Sequence, residues 1–324
     1  MNPWRMWQWI VLGFAVLGPG QALGQAYPTR AVRIIVPFSP GGTVDGIARV
    51  IGAKLAERLN QPFIIESRPG AGGTLGADIV AKSAPDGYTI LHNTVGQAIA
   101  PAIFRSLPFD TLKDFAPITQ VVASTLVMVT NPQLPVRSTQ DLIAVARSKP
   151  GVLNYGSTGI GTPLSFAMEL FKYAAGLEIQ AVSYRGDALI MAALSTGEVH
   201  VTVVSMAIAK PFIESGTIRA IAVTEPRRAV AMPELPTIGE ALPEFGSIIS
   251  WQAFFAPAKT PATVLEPLQC ETALALRSPE VVERLANWSY VPVGNLPEVF
   301  EAYFRIEVAK YAKIAKDARI RQVD

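Results

Sequence analysis

Cysteine and histidine are scarce in this sequence, and their scarcity limits the chemistry that it can support. The 324 residues include one cysteine, Cys270, and two histidines, His92 and His200. A single cysteine excludes an intramolecular disulfide, and the apolar helical pattern around Cys270 predicts a buried structural thiol. His200 lies in an apolar strand pattern, which is typical of a structural histidine or of one exposed at a strand end. The two histidines therefore predict neither a metal site nor an acid–base pair.

Enzyme motifs and clustered charge are missing as well. The sequence contains no GxxxxGK loop, no HExxH, no CxxC, no GxSxG and no GxGxxG after a strand. Its 28 Lys and Arg residues nearly balance 26 Asp and Glu residues, without a basic block. Because phosphate binding needs clustered cations, nucleic acid is not expected as a partner. We also expect no enzyme activity, no cofactor and no metal ion.

Residues 1–26 have the pattern of a secretory signal peptide. A cation precedes an apolar run and small residues follow it, at Arg5, Ile10–Leu17, Ala22, Gly24 and Ala26. A membrane anchor is the alternative, but the run is well short of the ~20 residues that span a bilayer, and a Pro-Gly pair interrupts its end. Cleavage after Gly24 and cleavage after Ala26 both satisfy the small-residue rule.

The segment Val32–Leu59 predicts a strand, a ligand loop and a helix with almost nothing between them. Its β-branched start predicts a strand covered on both faces, and two prolines end that strand. Gly41 and Gly42 let backbone N–H groups approach a ligand closely, and Thr43 is a suitable N-cap. The helix that follows would direct its positive N-terminus out of the carboxyl edge of the sheet, where anions bind. Gly-Gly turns are also common connectors, so this segment alone leaves both interpretations open.

One stretch near the middle of the chain, Asn154–Pro163, repeats this design. A short strand runs through a Gly-rich turn to Thr162, a predicted N-cap, and to Pro163 at the first helical position. Two such loops in opposite lobes favour one shared cleft site over two simple connectors. A third Gly-rich run, Arg68–Thr74, is a weaker indication of an anion site, because a tight turn and a helix cap at Thr74 explain it.

Strand-like and helix-like patterns alternate along the sequence. This order predicts an α/β fold with mainly parallel sheets flanked by helices. The chain exceeds one average domain of ~100–200 residues, so we expect two lobes whose crossovers lie within Thr119–Thr130 and Val223–Trp251. The expected first lobe is discontinuous, residues 27–125 and 249–324, and the second is 126–248. Strands are predicted at Phe63–Glu66, Thr89–His92, Leu126–Thr130, Leu153–Gly156, Ala181–Tyr184, Val199–Ser205, Ile218–Thr224 and Trp251–Ala256.

Several segments together carry a family resemblance. They are AYPTRAVRIIVPFSPGGTVDGIAR, ESRPGAGGTLGADIVAKSAPDGYTIL, PGVLNYGSTGIGT, IRAIAVTEPRR, LPTIGEALPEF and WQAFFAPAKTPATV, in that order. They resemble the substrate-binding proteins of the tripartite tricarboxylate transporter family, often called Bug proteins. The resemblance implies a periplasmic, two-lobed venus-flytrap fold, type II-like, that closes on a small ligand, commonly an organic acid. It also implies that two Gly-rich loops hold the ligand carboxylate through backbone N–H groups and ordered water.

The loop pattern and the resemblance together predict the ligand-binding residues. The carboxylate is expected between Ser39–Asp45 and Ser157–Thr162, held chiefly by main-chain N–H groups. Asp45 would repel an anion, so its expected role is to accept N–H groups in the first helical turn or to hold a bridging water. The predicted residues are Phe38, Ser39, Gly41, Gly42, Thr43, Asp45, Ser157, Thr158, Gly159, Gly161, Thr162, Tyr184 and Ser205.

Some positions depart from the pattern of the family. Ser183 stands where proline is usual, Asp187 where a small residue is usual, and His200 and Val204 where aspartates are common. The identity of the ligand therefore does not transfer. The loss of an acid near the cleft makes an amino-acid ligand less expected than a simple organic acid or an aromatic carboxylate.

The combined expectation is a monomeric periplasmic solute-binding protein that captures a small organic acid. Its further partners would be the membrane permease subunits of a tripartite tricarboxylate-type transporter. An exported ligand-sensing partner or an enzyme on the same fold is the alternative, since fold alone does not determine function. A binding protein returns its ligand unchanged, whereas an enzyme turns it over.

Export with cleavage predicts a shortened N-terminus. Mass spectrometry of the protein from the periplasmic fraction should find a chain that begins at Gln25 or at Tyr27. An intact Met1, or recovery only with the membrane fraction, would show that this segment is not a cleaved signal peptide.

Overall fold

The computed structural model describes residues 27–159, 162–229, 232–317, 320, 322 and 323. The predicted signal peptide and Gly161 of the second loop lie outside the described residues. Within these ranges, no helix is both long and apolar enough to cross a membrane.

One sheet is formed by strands from both ends of the described chain. Its strands are β1 (Val32–Val36), β2 (Phe63–Ser67), β3 (Thr89–Thr94), β4 (Phe115–Ser124), β10 (Ser250–Pro257) and β11 (Tyr290–Pro292). Their order is β11-β4-β10-β3-β1-β2. β1 pairs in parallel with β2 and with β3, whereas β10 runs antiparallel to β3 and β4. The first predicted ligand loop thus follows a strand that has parallel neighbours on both sides.

The middle of the chain forms the second sheet. Its strands are β5 (Leu126–Thr130), β6 (Asn154–Ser157), β7 (Gln180–Ser183), β8 (Val201–Ser205) and β9 (Arg219–Val223). Their order is β7-β6-β8-β5-β9, with β6 parallel to β7 and β8, and β5 antiparallel to β8 and β9. β6 therefore occupies in this sheet the position that β1 occupies in the other.

The α/β fold class is confirmed, but the sheets are mixed rather than mainly parallel. β5 enters the second sheet directly from β4, and β10 re-enters the first sheet where β4 leaves it. A strand that enters at the edge where its neighbour leaves must run in the opposite direction. Helix and strand patterns in the sequence do not specify strand direction, so the antiparallel pairs were not predicted.

Helices cover the sheets. Their bounds are α1 (Thr43–Leu59), α2 (Thr74–Ala81), α3 (Gly96–Ile103), α4 (Thr139–Ser148), α5 (Pro163–Ala175), α6 (Asp187–Thr196), α7 (Met206–Glu214), α8 (Ile238–Ala241), α9 (Ala262–Leu276), α10 (Pro279–Asn287) and α11 (Pro297–Asp317), with 3-10 turns at Ala71–Gly73 and Pro243–Phe245. The ring of Tyr311 on α11 packs edge-on against Phe166 on α5, with ring centroids 5.6 Å apart. Because α11 also packs against Trp251 and Phe255 of β10, one core cluster is continuous between the two sheets.

The carboxyl edges of the two sheets face each other. Only Thr125 separates β4 from β5, and the chain returns from β9 to β10 between Val223 and Ser250. β10 is antiparallel to both β3 and β4, and β3 is parallel to β1, so β4 runs in the same direction as β1. The last residue of β4 therefore lies at the carboxyl edge. β5 begins opposite Ser205, the last residue of β8, at the carboxyl edge of the second sheet. The loops after β1 and β6 therefore leave their sheets toward the same space.

Every predicted strand is present, with ends shifted by one or two residues at most. β4 was predicted only in its second half, as part of a crossover, and β11 was not predicted. Pro117 and the polar residues of β4 interrupt its apolar pattern, and β11 is only three residues long. Such segments gain their strand conformation from pairing with neighbours, which local sequence does not report.

The prediction of a buried Cys270 is wrong, because its side chain is exposed on α9. The face of α9 that packs on the protein carries Leu268, Thr272, Ala275 and Leu276. Cys270 lies between these positions in sequence but on the other side of the helix. The helix has apolar residues on both sides, so helical spacing alone selected the wrong face.

Candidate functional site

The first loop runs from the end of β1 to the start of α1 and exposes its glycines. Gly42 is the N-cap residue, with an extended backbone (φ −78°, ψ 172°), and Thr43 is the first helical residue. The prediction of Thr43 as the N-cap is therefore wrong. A Cβ built at Gly41 would have no atom within 4 Å, and one at Gly42 would meet only the Ser39 carbonyl oxygen, at 3.6 Å. Space for another molecule thus begins directly at this backbone.

Asp45 holds the first loop in place from the first turn of α1. Its carboxylate, 3 % exposed, accepts the Gly41 N–H at 3.1 Å and the Arg49 guanidinium at 2.8 and 3.0 Å, with the Ser67 hydroxyl at 3.4 Å. Burial alone would raise the pKa of Asp45, but hydrogen bonds from Arg49 and from the Gly41 N–H hold it below its ordinary value. The group is therefore ionised and already saturated with donors, so it positions the loop.

The second loop is held by its own hydroxyl groups. The Ser157 hydroxyl accepts the Gly159 N–H at 3.1 Å, and the Thr162 hydroxyl donates to the Gly159 carbonyl oxygen at 2.9 Å. Thr162 also accepts the Ser165 N–H, and Pro163 is the first helical residue, so both predictions for the start of α5 are confirmed. Gly159 has φ +120°, and a Cβ there would have no atom within 4 Å. This loop exposes a glycine as the first loop does.

Tyr184 and Ser205 lie at the ends of β7 and β8, beside the second loop. The Tyr184 N–H donates to the Ser157 carbonyl oxygen at 2.8 Å, and its hydroxyl donates to Glu198 at 2.7 Å. Burial and Glu198 raise the pKa of Tyr184 to about 12. The buried Ser205 hydroxyl lies 3.5 Å from the Tyr290 hydroxyl of β11, across the junction of the two sheets. The predicted ligand-binding residues that the structure describes therefore lie at the facing edges of the two sheets. Phe38 is half-buried beside the first loop, and Thr158 is half-buried in the second loop.

Gly73 of the third Gly-rich run and Gly76 of α2 allow close packing against the residues that follow β1. A Cβ at Gly76 would lie 2.8 Å from Pro37 Cβ, and one at Gly73 would lie 3.6 Å from the Phe38 ring. Gly73 has φ +100° and is the N-cap of α2, so the cap predicted at Thr74 lies one residue earlier. These glycines let α2 approach the residues that follow β1, which agrees with the structural interpretation of this run.

Both histidines have structural positions. His200 Nδ1 accepts the Asn154 N–H at 3.2 Å, at the opposite end of β6 from the second loop, which confirms a structural role. His92 is fully buried in β3, with its ring packed edge-on against Phe254 at 5.0 Å. Burial lowers the pKa of His92 to about 3, although the backbone of Val44 acts in the opposite direction. The imidazole is therefore neutral. In the described ranges, no three His, Cys, Asp or Glu side chains are grouped to hold a metal ion.

A groove of about 790 Å³ lies elsewhere, between α1 and α10. Lys54 in this groove is paired with Glu57 at 2.9 Å and with Glu280. Arg49, also in its lining, is held by Asp45. Glu57, Glu280 and Glu283 also line this groove, so it offers a carboxylate less than the two loops do.

Comparison with known proteins places the chain in a family. The family model described as "Tripartite tricarboxylate transporter family receptor" matches residues 47–318. The chain belongs to this family. Protein BugT of Bordetella pertussis is 33% identical over 313 residues, which cover 95% of this chain and 96% of BugT.

Solved structures agree with this assignment. The periplasmic binding protein BugD has a TM-score of 0.83 at 27% identity, covering 92% of this chain and 100% of BugD. Rpa4515 of R. palustris, solved with adipate, has a TM-score of 0.83 at 36% identity, covering 92% and 100%. MatC of Rhodopseudomonas palustris, solved with bound malate, has a TM-score of 0.82 at 29% identity, covering 89% and 100%. The receptor has the fold of periplasmic binding proteins.

The hydrogen bonds of Asp45 predict a pH-dependent contribution to stability. Asp45→Asn should lower the free energy of unfolding at pH 7 by roughly 1–3 kcal/mol, since it weakens bonds to a charged acceptor. A carboxyl whose folded pKa is depressed stabilises the fold above its unfolded pKa, and this contribution is lost as the pH falls through the folded value. The difference between wild type and variant should therefore shrink as the pH falls below 3.8, the ordinary value. Urea unfolding at a series of pH values measures it.

Asp86→Asn is the matched control, because Asp86 also pairs with an arginine, Arg30 at 3.1 Å, and accepts a backbone N–H, that of Tyr88 at 3.0 Å, but has an exposed side chain. An exposed pair is worth about 0–1 kcal/mol, so this change should cost less. Equal costs for the two variants at pH 7 would contradict the role assigned to Asp45.

Proposed function

We propose that this receptor captures a small organic acid between its two sheets and delivers it to a tripartite tricarboxylate-type transporter. One observation carries the proposal: two glycine-exposing loops follow equivalent strands, β1 and β6, and leave facing edges of the two sheets. A ligand between them would contact both loops at once. The adipate and malate in the two solved relatives support a carboxylate as the bound group.

Main-chain N–H groups are the proposed donors to the carboxylate. No acceptor in the described part of the chain is bonded to the N–H of Gly42, Thr43 or Thr158. The loops precede helices of 17 and 13 residues, whose positive ends favour an anion. Each helix dipole contributes about 0.3–1 kcal/mol to the free energy of binding, whereas each hydrogen bond to a charged group contributes about 1.5–3 kcal/mol. Several such bonds together support micromolar binding.

Asp45 takes part in this proposal as a positioning residue. Its carboxylate orients the Gly41 N–H toward the protein, and Arg49, with 55% of its side chain exposed, balances its charge. The other predicted contacts remain as proposed: Phe38, Ser39, Gly41, Gly42, Thr43, Ser157, Thr158, Gly159, Gly161, Thr162, Tyr184 and Ser205. The proposed compartment is the periplasm, after removal of residues 1–26, and the proposed partners are transporter subunits in the membrane.

Substitution of the exposed glycines tests the clamp. Gly42→Val should fold normally, because its φ is negative and its new Cβ would meet only one oxygen at 3.6 Å. The added side chain should nevertheless fill the ligand space and abolish binding. Gly239→Val is the control, because a Cβ at Gly239 would also meet only oxygen atoms, at 3.6 and 3.7 Å.

Gly159→Ala tests the second loop, with Gly176→Ala as its control. Both glycines have positive φ and no atom within 4 Å of a built Cβ, so neither variant creates a clash, but Gly159→Ala should lose more stability because φ +120° lies outside the left-handed region that contains φ +62° of Gly176. Only Gly159→Ala should weaken binding. The measurement is the melting shift with a panel of four- to six-carbon carboxylic acids, where saturation at 100 times Kd stabilises by about 2.7 kcal/mol. Unchanged carboxylate affinity in folded Gly42→Val and Gly159→Ala would overturn the clamp.

A further inference from the structure

Asp187, the first residue of α6, lies beside the second loop. Its helix packs on the sheet through Ile190, Met191 and Leu194, and Asp187 continues that face by one turn toward the N-terminus. A Cβ at Gly156 of β6 would lie 2.6 Å from Ile190 Cγ2, so Ile190 sits directly on the end of β6. α6 runs back from the carboxyl edge, since it connects the parallel strands β7 and β8. Asp187 precedes Ile190 by three residues, which is about 4.5 Å along the helix axis. It therefore lies at the level of the second loop.

The carboxylate of Asp187 has no donor. The residue is half-buried, and its Oδ1 is a buried atom with no hydrogen-bond partner among the described residues. Burial raises the pKa of Asp187 to about 6. The positive end of α6 favours the ionised form, but a buried carboxylate oxygen without a donor is a costly arrangement that a folded protein rarely keeps without a use.

The two acidic residues beside the loops therefore differ in their hydrogen bonding. Asp45 beside the first loop accepts hydrogen bonds from three residues, whereas Asp187 beside the second loop has none. An anionic ligand next to Asp187 would be repelled unless it also presents a donor there. The missing partner must then come from the ligand.

We propose that the ligand carries a hydrogen-bond donor, a hydroxyl or an ammonium group, beside its carboxylate, and that Asp187 recognises this donor. The inference rests on the proposed function and narrows it to hydroxy- and aminocarboxylates. It also revises the argument against amino acids, which depended on His200 and Val204. His200 lies at the opposite end of β6 from the loop, and Val204 is fully buried in an apolar cluster. The acid beside the ligand loop is therefore Asp187.

Three acids with the same four-carbon skeleton test this inference: succinate has no donor, malate has a hydroxyl and aspartate has an ammonium group. By isothermal titration calorimetry, malate or aspartate should bind the wild-type protein ~10- to 100-fold more tightly than succinate, as expected for one hydrogen bond to a charged group. Asp187→Ala should abolish this preference and raise the affinity for succinate, because it removes a like charge. If the site is longer, glutarate, 2-hydroxyglutarate and glutamate serve in the same way.

Asp187→Asn separates the two kinds of donor. The amide oxygen still accepts a hydrogen bond from a hydroxyl, so a preference for malate should largely survive, whereas a preference for aspartate should weaken more because the attraction between charges is lost. Asp187→Ala should also unfold at no lower urea concentration than the wild type, because it removes a buried carboxylate oxygen that has no partner. A less stable Asp187→Ala would indicate a structural acid and overturn the inference.

Failure of the inference and failure of the proposed function give different results. If succinate binds wild type as tightly as malate and aspartate, or if the preference persists in Asp187→Ala, the inference is wrong while carboxylate capture stands. If no acid of either series binds the wild-type protein, the proposed function fails and the inference fails with it.

Discussion

The passage of the chain through Thr125 constrains the rest of this receptor. Because a single residue separates β4 from β5, the two sheets must present their carboxyl edges to each other. Parallel neighbours then place the loop after β1 and the loop after β6 at equivalent positions on those edges. The return through Thr224 reinforces this junction, since its N–H donates to the Leu126 carbonyl oxygen at 3.0 Å and its hydroxyl to the Ile248 carbonyl oxygen at 2.8 Å.

Charge beside the two loops is arranged by hydrogen bonding, and in the proposed function no cation is aimed at the ligand. Arg49 binds Asp45, and the pair fixes the first loop, in which the N–H groups of Gly42 and Thr43 have no acceptor among the described residues. Hydroxyl groups of Ser157 and Thr162 do the same for the second loop. The positions of the donors are set before a ligand arrives, which limits the entropy cost of binding. Asp187 is the exception, because its donor must come from outside the protein.

Much of this arrangement could be predicted from local sequence. Glycine, proline and threonine at fixed places in Asn154–Pro163 specify a strand, a turn and a capped helix, and the structure has all of them. Thr43 was misplaced because a hydroxyl before a helix is equally compatible with the cap and with the first turn. The exposure of Cys270 and the relative directions of the strands depend on which faces and edges meet in three dimensions, and local sequence does not specify this. The importance of Asp187 could not be predicted either, since its lack of partners is a property of the folded packing.

The central claim is that both loops hold one ligand, and small-angle X-ray scattering tests it most directly. A ligand that touches both edges stabilises the closed arrangement more than the open one, so it must shift the population toward closure. With a carboxylate shown to bind by calorimetry, the radius of gyration should fall at saturation and stay unchanged in Gly42→Val. An unchanged radius of gyration in the saturated wild-type protein would contradict a ligand shared between the two loops.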